Sequence, residues 1–171
     1  WYHNENGSHE IRLAPYFLAR HELTTGQYQR LAGFSLAPDT PATAATTEDL
    51  RLPMRGLSFT QSKRLLVAHN LTIPTEAQWE FACQAVQQQH GSTGNQSLGL
   101  AGHDNLFDVA ALKNHPPPNG FDPGLWSDGH ADRSRVGSFS PNSFGFYDMH
   151  GNLAEWCRDL FGYYSLPVAP D

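Results

Sequence analysis

The sequence contains few basic residues and no basic cluster. Its 11 Lys and Arg stand against 17 Asp and Glu, a formal charge of −6 at pH 7. The longest basic run is the pair Lys63 and Arg64. Proteins that bind nucleic acid present a positive face that neutralises phosphates. The charge pattern therefore makes nucleic acid an unfavourable partner.

Long apolar runs are also missing. No stretch approaches the roughly 18 apolar residues of a membrane helix, and the N-terminal WYHNENGSHE lacks the features of a signal peptide. We therefore predict no membrane span. The 171 residues, 39% of them hydrophobic, fit one globular domain that is large enough to bury its own core.

The sequence has only two cysteines, Cys83 and Cys157, without a CxxC motif or a paired histidine spacing. We expect two reduced, buried thiols, although a disulfide, which would favour the periplasm or exterior, stays open. The GxSxG, HExxH and Gly-rich phosphate-loop motifs are absent as well. Cys157 could be a nucleophile only if its pKa were lowered. We therefore predict no catalytic residue.

Helix signals are concentrated in the first half of the chain. Thr24 and Gln27 form a capping-box pattern before a helix that Gly33 ends, and TQSKRLLVAHN predicts a second helix that Asn70 closes. The loosely alternating residues 11–20 predict a strand that leads into the first helix.

The clearest helix start is TEAQWEFACQAV, where Thr75 and Gln78 again form a capping box. Apolar residues follow at i, i+3, i+4 and i+7, which predicts a buried stripe of Trp79, Ala82, Cys83 and Val86.

Residues 88–141 have little periodicity and are rich in Gly, Pro, Asn, Asp and His. We therefore expect something other than regular secondary structure, such as bound ions, to hold this stretch in shape. Calcium takes about six to eight oxygen ligands. Asp148, Gly151 and Glu155 offer two carboxylates and a flexible turn for one ion, the alternative being a capped turn with a solvated Glu. For a second ion, or merely a solvated loop, the available side chains are Asn105, Asp108, Asp128 and Asp132.

Four stretches together, in the same order and at similar intervals, resemble the formylglycine-generating enzyme, or sulfatase-modifying factor, family. They are LAPYFLARHELTTGQYQRL, LPMRGLSFTQS, IPTEAQWEFAC and VGSFSPNSFGFYDMHGNLAEWCRD. The resemblance implies an α+β fold of the C-type-lectin-like kind, with little regular secondary structure. It also implies a single domain over residues 1–171, apparently without its C-terminal segment, that is held by two calcium ions.

The resemblance assigns calcium ligands position by position. In both sites two side chains and two main-chain carbonyls coordinate the ion. The first site would use the side chains of Asn105 and Asp128 with the carbonyls of Leu106 and His130, and the second those of Asp148 and Glu155 with the carbonyls of Gly151 and Leu153. We expect Phe144, Tyr147 and Trp156 to face inward around the second site.

Two departures from the family pattern bear on function. In active members a cysteine pair that binds copper follows an RGGSW segment, which this sequence does not contain, so copper is not supported. Thr72 also replaces the usual Arg of RLPTE.

These departures favour a non-catalytic binding or regulatory module of an exported bacterial system, such as type VI secretion. We expect a protein or peptide partner and an exported or periplasmic location. The alternative is part of an oxidoreductase whose catalytic C-terminal segment is absent here, of the formylglycine-generating, pyoverdine-maturation or sulfoxide-synthase type.

Overall fold

The computed structural model describes residues 11–33, 49–84, 104–114 and 127–160. Regular structure in these ranges is mainly helical. The α-helices are α1 (Thr25–Leu31), α2 (Phe59–Val67) and α3 (Glu76–Cys83), and single 3-10 turns cover Asp49–Arg51 and Ala111–Lys113. Because the described ranges contain no β-strand, the α+β class stays a prediction.

The strand predicted over residues 11–20 is not formed. These residues have no regular secondary structure, and most of them are exposed. The alternating apolar side chains therefore have no buried surface to pack against. At the end of the segment Tyr147 N donates to the Arg20 carbonyl at 2.8 Å, and Thr24 and Pro53 form an isolated antiparallel bridge.

Side-chain caps begin all three α-helices. The predicted boxes are present at Thr24, whose Oγ1 accepts from Gln27 N at 3.1 Å, and at Thr75, whose Oγ1 accepts from Gln78 N at 3.2 Å. Helix α2 begins at a third box, in which Ser58 Oγ accepts from Gln61 N at 3.3 Å. Asn70 follows α2 with φ +57°, a left-handed conformation that Asn tolerates. The three predicted helices are confirmed.

The described core contains at least as many polar as apolar residues. Its buried hydrophobic residues are Ile73, Ala82, Ala110, Ala111, Val136 and Met149. Its buried polar residues are Glu22, Thr24, Asp104, Asn105, Asp108, Ser134 and Asp148. A core of this kind depends on satisfied hydrogen bonds, because an unpaired buried polar group costs free energy.

The predicted inward-facing residues lie closer to the surface than expected. In the α3 stripe Ala82 is fully buried and Trp79 and Cys83 are half-buried, while Val86 is outside the described residues. The rings predicted to line the second site are half-buried at Tyr147 but 52% exposed at both Phe144 and Trp156. The inward orientation of those two is wrong: Phe144 stacks on Phe81, and Trp156 meets the edge of Phe59.

Helix α3 anchors the segment that contains the second predicted site. Asn142 Nδ2 donates to the Ala82 carbonyl at 2.8 Å, and Arg158 N donates to the Pro74 carbonyl at 2.8 Å. The two bonds tie one end of residues 142–158 to helix α3 and the other end to the residue that precedes its N-cap. None of the described helices is long and apolar enough to cross a membrane.

Candidate functional site

Two buried carboxyl groups meet at the second predicted site. Asp148, which is 5% exposed, has φ +57° and accepts from Gly137 N through Oδ2 at 2.7 Å. Its other oxygen is buried without a hydrogen-bond partner. Glu22, which is 8% exposed, has two buried carboxyl oxygens in the same condition. Buried oxygens without partners are costly, so a hydrogen-bond donor, a shared proton or a cation would stabilise this place.

The pKa values of the carboxyl groups at this place are raised, mainly by burial. Burial, followed by the charge of Asp148, raises the pKa of Glu22 to about 8. Burial also raises the pKa of Asp148. At Glu155 burial again raises the pKa, with a smaller contribution from Asp148. A cation would reverse these shifts, because a nearby opposite charge favours the ionised carboxylate.

The remaining predicted ligands of this site lie on the following turn. Glu155 is exposed as a residue, but its carboxyl group packs against protein and accepts from Trp79 Nε1. Any side chain at Gly151 would collide with the main-chain carbonyl of Asn105. Glycine is therefore required there for close approach of two backbones, and not only for the curl we expected. Leu153 is half-buried on the same turn.

The first predicted site is organised around Asp128. Its two carboxylate oxygens accept from Leu106 N at 2.9 Å and from His130 N at 2.7 Å, so two of the other three predicted ligands lie beside it. Burial raises the pKa of Asp128. Asn105 is buried and directs its amide nitrogen to the Asp132 carbonyl at 2.8 Å. The structure thus brings Leu106, Asp128 and His130 together, with Asn105 adjacent in the chain.

Two other carboxylates that we had considered as ligands have structural partners. Asp108 is fully buried, and its carboxylate accepts from the main-chain nitrogens of Ala110, Ala111 and Asp128. Asp132 forms an exposed ion pair with Arg55 at 3.1 Å. The sequence alone does not distinguish a carboxylate that caps main-chain nitrogens from one that binds an ion.

Asn152 connects the two predicted sites. Its main-chain nitrogen donates to the Asn105 carbonyl at 2.8 Å, and its Oδ1 accepts from Ser134 N at 2.8 Å and from Asn105 Nδ2 at 3.2 Å. Its Nδ2 donates to the Ser134 carbonyl at 3.3 Å. One side chain therefore holds three sequence segments together between the candidate sites.

Among the described residues no three His, Cys, Asp or Glu side chains form a metal-binding group. The predicted ligands at Asp148 are carboxylate and main-chain carbonyl oxygens, a donor type that calcium accepts. The partnerless oxygens of Glu22 and Asp148 are the observation that such an ion explains.

Neither cysteine is placed for the expected copper chemistry. Both are free thiols in the structure. Burial, with Asp159 as the next cause, raises the pKa of Cys157 to about 11, which opposes a nucleophilic role. Cys83 Sγ lies 3.3 Å from His150 Nε2, and His150 Nδ1 lies 3.4 Å from Asp104 Oδ2. The hydrogen bond with Asp104, and then that with Cys83, raises the pKa of His150 to about 9.

Comparison with known proteins identifies the family. The model of the sulfatase-modifying factor enzyme 1-like domain matches residues 2–168. The chain belongs to this family. The sulfatase-modifying factor resemblance is thereby confirmed, and with it a fold of the formylglycine-generating enzyme type.

Proteins similar to this sulfatase-modifying factor domain include one named as a kinase and one named as a formylglycine-generating enzyme. The serine/threonine-protein kinase pkn1 of Chlamydia pneumoniae is 33% identical over 91 residues, covering 53% of this chain and 11% of the kinase. The formylglycine-generating enzyme of Thermomonospora curvata is 27% identical over 124 residues, covering 72% of this chain and 38% of the enzyme. The chain thus spans well under half of each.

One solved structure is also similar to this family member. PvdO from Pseudomonas aeruginosa is 25% identical, with a TM-score of 0.49, over 84% of this chain and 56% of PvdO.

Sequence reasoning missed two groups at the site. Glu22 follows a short irregular segment and has no local pattern that indicates burial beside Asp148. Asn152 lies inside the predicted calcium turn but is not one of the predicted ligands. A structure is needed to find both, since their partners are distant in the sequence.

Proposed function

We propose that this sulfatase-modifying factor domain is a calcium-stabilised, non-catalytic binding or regulatory module. The observation that carries the proposal is the buried carboxyl pair of Glu22 and Asp148, in which Asp148 Oδ1 has no hydrogen-bond partner. A divalent cation bound by Asp148 would satisfy that oxygen and offset the negative charge of the pair.

The two candidate ions have separate ligands. Asp148 and Glu155 would hold one through their carboxylates, assisted by the carbonyls of Gly151 and Leu153. The other ion would be held by the side chains of Asn105 and Asp128 and the carbonyls of Leu106 and His130. Calcium would supply fixed positive charge that holds irregular segments in place. We expect tighter binding at Asp148, because that site supplies two carboxylates.

The cysteines support a role other than thiol oxidation. Cys157 is kept protonated by burial and neighbouring carboxylates, and Cys83 contacts His150 and the Met149 carbonyl rather than a second cysteine. The similarity to part of a protein named as a kinase also supports a module within larger proteins. A protein or peptide partner in an exported bacterial system, such as type VI secretion, belongs to the same proposal.

Calcium dependence is tested by thermal unfolding. A ligand that binds only the folded state adds about 2.7 kcal/mol to the free energy of unfolding at a hundredfold excess over Kd. For a domain of this size that corresponds to roughly 5–10 °C in Tm. We expect a chelator to lower Tm by that amount and calcium to restore it. Magnesium should restore less, because it accepts irregular geometry poorly.

Matched variants make the test specific. Asp148→Asn and Glu155→Gln keep side-chain shape but remove charge, and each should abolish most of the calcium response. Glu80→Gln removes one exposed carboxylate on α3 and should leave the response unchanged. A chelator-insensitive Tm, or an equal loss in all three variants, would reject the proposed ion.

The second candidate function is part of an oxidoreductase that has its catalytic residues outside residues 1–171. The similarity to the formylglycine-generating enzyme of Thermomonospora curvata over 72% of this chain supports it. Copper binding and oxidation of a substrate cysteine by the full-length protein would establish this candidate and exclude the non-catalytic one.

A further inference from the structure

A cavity of about 400 Å³ lies between α1, the turn at residues 50–51 and the segment at residues 136–137. Three basic side chains contribute to its wall, those of His21, Arg30 and Arg51. We propose that this cavity binds a small organic anion that carries a phosphate or carboxylate group. The inference deepens the proposed binding function by naming a ligand class.

Main-chain hydrogen bonds hold the cavity wall in place. Thr25 N donates to the Leu52 carbonyl at 2.9 Å, and Val136 N donates to the Arg51 carbonyl at 3.0 Å. Gly26 lies so close to Leu50 that an added Cβ would be 3.1 Å from the Leu50 carbonyl oxygen. A wall fixed by backbone contacts exists before the ligand arrives, which lowers the entropic cost of binding.

The charge of the wall is opposite to that of the chain. The protein has a formal charge of −6, yet no Asp or Glu is among the described residues that line the cavity. Within the described residues no carboxylate forms an ion pair with Arg30 or Arg51, whereas Arg55 pairs with Asp132. Asp148 lies behind the wall, buried and bonded to Gly137 N. Arginines at a concave surface that form no ion pair with a described carboxylate attract an anion.

The wall also indicates the shape of the ligand. A guanidinium presents paired N–H donors that match the two oxygens of a carboxylate or phosphate. Tyr147, Leu50 and Val136 supply an aromatic ring and apolar surface beside those charges. Arg20 already lies over the Tyr147 ring, with its Cζ 5.3 Å from the ring centroid. The volume is at the lower end of the roughly 300–1,000 Å³ found for small-molecule sites.

Binding is measured by calorimetry and by amide chemical shifts on the 171-residue chain, with phenyl phosphate, benzoate and inorganic phosphate as anionic probes. Phenol serves as the uncharged probe. We expect saturable binding of at least one of the two aromatic anions, weaker binding of inorganic phosphate and none of phenol. The amide shifts should change at Gly26 and Gly137, which line the cavity.

Variants assign the binding to the two arginines. Arg30→Gln and Arg51→Gln should each weaken the affinity about tenfold or more, since each would remove a charge-assisted hydrogen bond to the anion. Arg64→Gln is the matched control, because Arg64, like Arg30, is an exposed arginine in the last turn of a helix. It should change affinity less than twofold.

Two results would overturn the inference: no saturable binding of phenyl phosphate or benzoate at about 10 mM, or equal weakening by Arg64→Gln, which would indicate only net charge. The calcium proposal stands or falls separately, because its readout is the chelator response of Tm. Thermal unfolding of each arginine variant shows whether a lost affinity reflects lost folding.

Discussion

At the scale of single residues, the most informative feature is a carboxyl group that the fold does not satisfy. Glu22 is buried beside Asp148, and neither of its carboxyl oxygens has a hydrogen-bond partner. Native proteins pair almost all buried polar atoms. A carboxyl group of this kind beside a second buried acid is stabilised by a bound cation or by a proton held at neutral pH.

The raised pKa of Glu22 predicts how the metal-free protein responds to pH. Folding raises this pKa from 4.5 to about 8, so between those values the folded state holds a proton that the unfolded state has lost. The contribution of Glu22 to stability should then be largest below about pH 4.5 and decrease as pH rises toward 8, by at most about 1.4 kcal/mol per pH unit for one proton. Chemical unfolding in chelator between pH 5 and 8 measures this decrease.

The variant Glu22→Gln separates this group from other titrating residues. It should make the decrease below pH 6.5 shallower, in the range in which His150 does not yet contribute. The raised pKa values of Asp148, Glu155 and Asp128 leave a smaller decrease of the same sign. The pKa of His150 is raised from 6.5 to about 9, so it adds a decrease of the same sign only at higher pH. Glu80→Gln should keep the wild-type slope. An unchanged slope in Glu22→Gln would contradict the assignment.

At the scale of elements, the features that the sequence predicted are the helix starts, which depend only on local contacts. Each predicted helix begins at a cap whose partner is three residues away, and the boxes at Thr24 and Thr75 are both present. Helix α2 has the same device at Ser58 and Gln61, which the sequence also contains but which we did not recognise. Such caps can be found from sequence because they need no tertiary contact.

The predicted strand is not formed, because strand formation depends on contacts that are not local. A strand needs a neighbouring strand to pair with, and alternation alone does not supply one. Residues 11–20 instead make isolated contacts, such as the bond from Tyr16 Oη to the Gln78 carbonyl at 2.8 Å. The candidate ion sites lie between these cases. Their local turns were predictable, but the approach of Gly151 to Asn105 and of Glu22 to Asp148 depends on tertiary structure.

At the scale of the whole molecule, hydrogen bonds between segments distant in sequence provide much of the stabilisation that a hydrophobic core usually provides. The apolar residues buried in the described part are mostly small, whereas Asp108 and Ser134 are almost completely buried. Three segments meet at Asn152, and both the Asn105 carbonyl and Ser134 N depend on it. We infer that this residue stabilises the arrangement of the two candidate sites.

Substitution of Asn152 tests that inference against a control with the same backbone conformation. Asn152 has φ +65° and Asn70 has φ +57°, so Asn→Ala at either position costs about 1 kcal/mol for the left-handed backbone. Asn152→Ala also leaves buried Ser134 N without its acceptor, a loss of about 1–3 kcal/mol. Chemical unfolding should therefore show Asn152→Ala to be less stable than Asn70→Ala by about 2 kcal/mol, with faster amide exchange at Ser134. Equal stabilities would show that the Asn152 side chain does not hold the three segments together.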